Sequence, residues 1–198
     1  MQAENLLKQI EFIKEIDKLK YILRRTKLLN SDRHENDAEH SWHLAMMTIV
    51  LAGHANTRID VLKVLKMVLI HDIVEIDAGD TFIYDTTKSH INTDDERLAA
   101  KRIFGLLPQD QAEEFIAIWE EFEAGASNEA KFARTMDRLE PLLQNTSNQG
   151  GTWKEFNIDY EKVYNKKKVM KEGSEAIWAY AQRLIDESVE KGILKKSL

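Results

Sequence analysis

Apolar positions recur every three to four residues along most of this chain, the spacing of an amphipathic helix. Leu7, Ile10, Ile13, Ile16 and Leu19 step by threes, with Leu6 and Leu23 nearby, and predict a first helix over about 4–23. A second helix is predicted from about 37 to 55, opened by Asn36 with Glu39 three residues later in a capping-box pattern. A third, about 60–76, starts behind Asp60 and is apolar around most of its circumference, so it is expected at the centre. Residues 77–92 read as a loop. Thr93 and Glu96 can cap a helix ending at Gly105, and Pro108 suits the first position of a segment to Ala124 carrying Phe115, Ile118, Trp119 and Phe122. Ser127 can cap the helix that carries Asp137. Residues 145–153, NTSNQGGTW, form the clearest turn cluster, and about 159–191 read as helix with a break at Gly173-Ser174. No strand-like alternation of any length and no repeat appears. The expected fold is all-α, with residues 1–198 as one domain, a bundle of six to eight helices.

Composition narrows this picture. A chain of 198 residues with 43% hydrophobic and 31% charged content suits a globular domain with a sizeable core. Two prolines and eight glycines leave few breaks and favour long helices. The net charge of -6 argues against duplex nucleic acid or a membrane surface as partner, though not against a small anion held by local arginines. No apolar run approaches the roughly 20 residues that span a bilayer, and no signal peptide is visible, so a cytoplasmic setting is expected. There is no cysteine, which removes disulfides, thiolate metal sites and a cysteine nucleophile. Any metal must be held by histidine and carboxylate, which leaves Mn, Co, Fe, Ni, Zn or Mg.

The candidate chemistry centres on His71-Asp72, set in the apolar run VLKVLKMVLIHDIVEIDAGD. Burying both is costly unless something pairs with them, and a divalent cation would. Taken alone, the dipeptide is weak evidence, and a helix end with solvated charges fits it better. His40 and Asp137 supply two more ligand-type side chains from other helices. Spacing does not choose between His40 and His43; His43 leads the row Met47, Val50, His54, and neither His43 nor His54 is expected to be a ligand. Glu75 lies four residues after His71 and three after Asp72, on their side of the helix, where it can move a proton. Arg24-Arg25 offers a phosphate grip, although an ordinary surface pair reads the same way. Lys166-Lys167-Lys168 reads as a solvated face, and Trp119, Phe122, Trp153 and Trp178 as core.

Together these strings resemble the HD-domain superfamily of metal-dependent phosphohydrolases, whose signature is H…HD…D. Within it the likeness is to the bacterial 5'-deoxynucleotidase group. The matching strings are Arg25 fifteen residues before the histidine of ENDAEHS, then LIHDIVEIDAGD, then MDRLEPLL, and the likeness covers about residues 5–190. By that resemblance His40, His71, Asp72 and Asp137 hold one divalent cation, Glu75 is the catalytic carboxylate, Asp80 a second active-site carboxylate and Arg25 the phosphate-gripping arginine. The deoxynucleotidases carry tryptophan directly after that arginine, where this chain has Thr26.

The resemblance implies hydrolysis of the phosphomonoester of nucleoside 5'-monophosphates, a small-molecule phosphate ester rather than nucleic acid. Alternatives are another phosphoester, such as a nucleoside triphosphate or cyclic nucleotide, or a non-catalytic metal-binding sensor. A homodimer is expected from the resemblance and from the aromatic residues of the later helices. The stretch Thr81 to Asn92, with Tyr84, Lys88 and His90, reads as a loop able to close over the site.

Overall fold

A computed structural model describes residues 2–85 and 94–196. Its elements run α1 Gln2–Ile16, β1 Leu23–Lys27, β2 His34–Asn36, α2 Asp37–Leu51, α3 Val61–Ile70, α4 Glu75–Ala78, α5 Asp94–Phe104 and α6 Gln109–Ala124. They continue with α7 Asn128–Ser147, α8 Gly151–Glu155, α9 Tyr160–Lys167, α10 Met170–Gly173 and α11 Glu175–Glu190. The predominantly helical fold expected from the periodicity is present. The predicted cap at Thr93 and the loop residues Lys88 and His90 lie outside the described residues.

Local chemistry explains where the helices begin. Asn36 accepts from the Glu39 amide while Glu39 returns a bond to the Asn36 amide, a complete capping box for α2. Asp60 accepts from the amides of Leu62 and Lys63 at the start of α3, and Ser127 from Ala130 at the start of α7. Ser174 caps α11 at the break expected beside Gly173.

The segment after α3 tightens. His71–Val74 forms a 3-10 turn before α4, where residues three apart lie in line along the axis, so Asp72 and Glu75 share one edge. Gly79, at φ +76, occupies the left-handed region and turns the chain so that Asp80 comes back towards Glu75.

Two features depart from expectation. Leu23–Lys27 and His34–Asn36 form an antiparallel ribbon, with five residues opposing three. The extra residues make a bulge, which re-aims side chains, and Arg24, Arg25 and Thr26 all reach the same cleft. Residues 145–153 are not one loop: α7 runs through Ser147, and Asn145 bridges into α8 by accepting from the Thr152 amide and hydroxyl.

The core is one cluster in which α2, α3, α6 and α7 meet, with Leu44, Val64, Met67, Trp119, Phe132 and Met136 almost wholly enclosed. Trp153, Phe122 and Trp178 are buried as expected. The α1 stripe is not core. Phe12 packs against Phe104 and Phe115, while Leu7, Ile10 and Ile13 face outwards. Likewise α3 buries Val64, Met67 and Val68 but exposes Leu62 and Leu69, so its apolar circumference is only partly covered. Among the described residues no helix is long and apolar enough to cross a membrane.

Gly173 sets the packing of the C-terminal helices. A Cβ there would come within 2.4 Å of the Lys131 carbonyl and the Thr135 hydroxyl, so only glycine lets α10 lie directly on α7. Thr135 Oγ1 donates to Met170 O at 3.2 Å across the same contact. This packing brings the end of α9 against the middle of α7.

Candidate metal centre and its cleft

Three elements bring the expected residues together: α2 supplies His40, the 3-10 turn supplies His71 and Asp72, and α7 supplies Asp137. All four side chains are buried or nearly so. His40 Nε2 lies 3.3 Å from Asp137 Oδ1 and 3.9 Å from Asp72 Oδ2. His71 Nε2 lies 3.1 Å from Asp72 Oδ1 and 4.0 Å from Asp137 Oδ1. Ligand atoms of His40, His71 and Asp72 fall within 4.8 Å of one another.

The residues fit a divalent cation. His71 Nε2 is buried without a hydrogen-bond partner, although carboxylate oxygens stand close by. Its other nitrogen, Nδ1, faces Val68 O at 3.1 Å, the arrangement that fixes a ring with Nε2 free to bind. His40 Nδ1 makes no hydrogen bond but has carboxylates beside it, Glu140 at 3.3 Å and Glu35 at 3.4 Å. Two imidazoles and two carboxylates make a nitrogen and oxygen donor set suited to a borderline or hard divalent metal.

Electrostatics point the same way. Burial works against ionised Asp72, yet His71, Arg24 and His40 outweigh it and hold its pKa down to about 2. Burial also opposes the Asp137 charge, and Arg138, His40 and His71 hold it well below the usual carboxylate range. Burial and Arg24 both disfavour a charged His40, but Asp137, Glu140 and Glu35 push its pKa well up. So many carboxylates round one ring seek a positive charge, which a proton or a metal ion can supply.

Beside this cluster stands a second one. Asp37, Glu75 and Asp80 offer oxygens within 4.8 Å of one another and could themselves hold a cation. Burial, then the charges of Asp72 and Asp37, raise the Glu75 pKa well above its ordinary value. Burial and Asp72 raise Asp37 to about 6, and burial raises Asp80. Asp37 and Glu75 offer oxygens within 4.8 Å of one another, and like charges this close favour a proton on the pair when no cation is present.

The residues missed from sequence are those that surround the candidate ligands. Arg24, rather than Arg25, reaches the centre: its Nη1 donates to Asp72 Oδ2 at 2.9 Å and Asp37 Oδ1 at 3.2 Å. Burial opposes that charge, and Asp72, Asp80, Asp37 and Glu75 more than offset it. Arg25 is exposed on the cleft wall, with Thr26 buried beside it. Arg138 donates to Asp137 Oδ2 at 2.7 Å. Lys167, expected on a solvated face, is buried and lines the cleft, because α9 docks on α7. Two of these residues carried a signal: Asp37 is three residues before His40, and Glu140 three after Asp137, each on the ligand's helix face.

His43 does not join the ligand atoms; its Nδ1 lies 3.3 Å from Glu140 Oε1. Glu96, Phe82, Ile83, Tyr84, Glu123 and Arg134 complete much of the cleft.

Comparison with known proteins places this arrangement. An HD-domain family model matches residues 16–178. Human 5'-deoxynucleotidase HDDC2 is 30% identical over 136 residues, 68% of this chain and 65% of that protein, so the match spans just under two thirds of the human relative. The Bos taurus protein of the same name is 31% identical over 144 residues, covering 72% of this chain and 67% of the relative. The crystal structure of a predicted metal-dependent phosphohydrolase from Magnetospirillum magnetotacticum superposes with a TM-score of 0.92 at 48% identity, covering 98% of both chains. A model match over most of the chain, on a fold that converges His40, His71-Asp72 and Asp137, makes this protein a member of the HD-domain family.

Proposed function

We propose that this chain is a metal-dependent phosphomonoesterase acting on nucleoside 5'-monophosphates, with His40, His71, Asp72 and Asp137 holding one divalent cation. The observation that carries this reading is a cleft lined by His71, Asp72 and Asp137, with His40 buried 3.3 Å from Asp137, together with Glu75 and arginines on its wall. The deoxynucleotidase names of the relatives support the choice of substrate.

When bound, the cation supplies Lewis acidity, polarising the phosphate and favouring a nucleophilic water near neutral pH. The other steps belong to the protein. Arg25, exposed at the rim, grips phosphate oxygens through paired N–H donors. Glu75 carries a proton because its surroundings are acidic and dry, which suits it to protonate the 5'-oxygen as the P–O bond breaks. Water supplies the new oxygen on phosphorus. Asp80, brought round by Gly79, orients the water or a sugar hydroxyl.

The test is a phosphate-release screen of nucleoside monophosphates with Mn, Co and Mg, run beside nucleoside triphosphates and cyclic nucleotides. Monophosphates are expected to be the substrates; release from the triphosphates or cyclic nucleotides alone rejects the reading, and no release from any supports a sensor. Asp137→Ala is expected to strip the metal, measured by elemental analysis, and full metal retention rejects the ligand set.

We also propose that the protein is a homodimer. Trp42, Met46, Ile49 and Val50 form an exposed apolar stripe on α2, with Trp42 64% and Val50 71% exposed, and α3 beside it exposes Leu62 and Leu69. Such a stripe suits contact with a second copy. Light scattering giving a mass near the 23.0 kDa of one chain rejects it. Residues 1–198 are read as one domain, expected to melt in a single transition. A cytoplasmic setting follows from the substrate class and is checked by cell fractionation.

A further inference from the structure

Lys167 closes α9 and is 2% exposed. Its Nζ donates to Arg138 O at 2.6 Å, and among the described residues it forms no ion pair. An ammonium has three donors, and this one uses a single donor on a neutral carbonyl. Burying such a charge without a counterion is unfavourable.

The other buried or half-buried cations of the cleft differ. Arg24 is matched by Asp37 and Asp72, and Arg138 by Asp137. Arg134 reaches only the Glu123 carbonyl, at 3.5 Å, but it is not fully buried. Among the described residues of the cleft, Lys167 is the enclosed cation without a carboxylate partner, and it lines the cleft together with His71, Asp72 and Asp137.

We propose that Lys167 is a substrate-binding residue whose ammonium donates to a non-bridging oxygen of the phosphate group, in the cleft that His71, Asp72 and Asp137 also line. This inference rests on the reading of the cleft as a phosphomonoesterase site. The carbonyl of Arg138 holds the Lys167 head in place while the guanidinium of the same residue holds Asp137, so one residue of α7 ties the anion grip to a cation ligand.

The local field agrees with an absent anion as the missing partner. Burial, then the neighbouring Arg138 charge, pull the Lys167 pKa down to about 7, while Asp137 and Glu140 only partly offset them. An incoming phosphate supplies the negative charge and the hydrogen bonds that the folded chain does not. Lys167 meets α7 through the Arg138 carbonyl, and α10, which follows α9, lies directly on the α7 backbone at Gly173.

A lysine that merely knits α9 to α7 would make the same carbonyl bond, and two variants separate the roles. Lys167→Gln keeps a donor for that carbonyl and removes the charge; Lys167→Arg keeps the charge. Inorganic phosphate is titrated calorimetrically into the Mn-loaded wild type and each variant, with metal content measured in parallel. Lys167→Gln is expected to keep its metal and melting temperature and to bind phosphate roughly tenfold or more weakly, while Lys167→Arg stays closer to wild type. In turnover, the Gln variant raises KM for the nucleotide more than it lowers kcat. Wild-type phosphate affinity in Lys167→Gln overturns the proposal.

If the Gln variant does not fold, the wild type decides. A crystal structure of the Mn-loaded protein with inorganic phosphate should place an oxygen within hydrogen-bond distance of Lys167 Nζ. Phosphate seated elsewhere in the cleft, or absent from it at saturating concentration, overturns the inference. Failure of this inference and of the proposed reaction are distinct results. Nucleotide hydrolysis with unaltered phosphate binding in Lys167→Gln sinks only the role of Lys167; phosphate binding through Lys167 with no nucleotide hydrolysed sinks only the reaction.

Discussion

Glu140 Oε2 stands 3.3 Å from His40 Nδ1, while Asp137 Oδ1 stands 3.3 Å from Nε2 of the same ring. The imidazole is thus held edge-on between two carboxylates of one helix, three residues apart. Glu140 also engages His43 through its other oxygen. Burial opposes the Glu140 charge, but the bonds to His40 and His43 hold its pKa down to about 2. A carboxylate in this position fixes the ring and makes its far nitrogen more basic. Glu140→Gln is therefore expected to keep the fold and weaken metal affinity by about 10–100-fold, read by competition against a chelator. Unchanged affinity would remove Glu140 from the metal centre.

Glu75 tests the proton-transfer role. Burial and neighbouring acids push its pKa well up and so favour the neutral carboxyl, whose shape and charge glutamine copies. Glu75→Gln should retain metal and melting temperature while kcat falls by about 10²–10⁴-fold. Turnover within a few-fold of wild type would show that the proton comes from elsewhere.

Much of this was legible in the sequence, and the reason is locality. Asn36, Asp60 and Ser127 cap their helices through bonds to amides two or three residues away, so the pattern alone reveals them. The HD pair was legible because a histidine and an aspartate in an apolar run demand a partner. The ribbon was not legible: its inward-facing residues are Arg24 and Thr26, so hydrophobic alternation never appears. Nor could spacing choose Arg24 over Arg25, since the bulge sets their directions. Lys167 was hidden for a third reason. In a run of three lysines, which one is buried depends on where the end of α9 meets α7, a contact remote in sequence. The α1 stripe shows a limit of periodicity: it marks the helix, yet does not say that Leu7, Ile10 and Ile13 stay exposed.

Glu123 gives a pH-dependent prediction. Burial, then the charge of Glu96, raise its pKa from 4.5 to about 7, while His71 and Arg134 pull the other way. A folded pKa above the unfolded one costs nothing below the unfolded value, where both states are protonated. Stability then falls as pH rises from about 4.5 to about 7, because the unfolded chain ionises first, and the loss is complete above that window. With the cation removed by chelator, Glu123→Gln should gain about 1–3 kcal/mol over wild type near pH 8 and little near pH 4.5. Thermal melts at the two pH values check it; an equal shift at both would assign the effect to packing.

The last prediction concerns the sugar. Thr26 follows the rim arginine, is 8% exposed, and lines the cleft. Its Oγ1 is buried with no hydrogen-bond partner among the described residues, so the folded chain leaves one hydroxyl unsatisfied beside the cleft. A bulky aromatic wall at this position could reject an added hydroxyl only by about 10²-fold, and a threonine removes that wall and adds a polar group. Both AMP and dAMP are therefore expected to be hydrolysed, with closer rates than in relatives bearing tryptophan there. Thr26→Val tests the hydroxyl at nearly constant shape: it should lower kcat/KM for AMP relative to dAMP, whereas Thr26→Trp should lower AMP more steeply by occupying the space. Tyr84 offers the competing explanation, since its ring packs on Phe82 at 5.3 Å on the same cleft wall. A strong preference for dAMP that neither Thr26 variant alters, and that Tyr84→Ala abolishes, would move sugar selection from the ribbon to that aromatic pair.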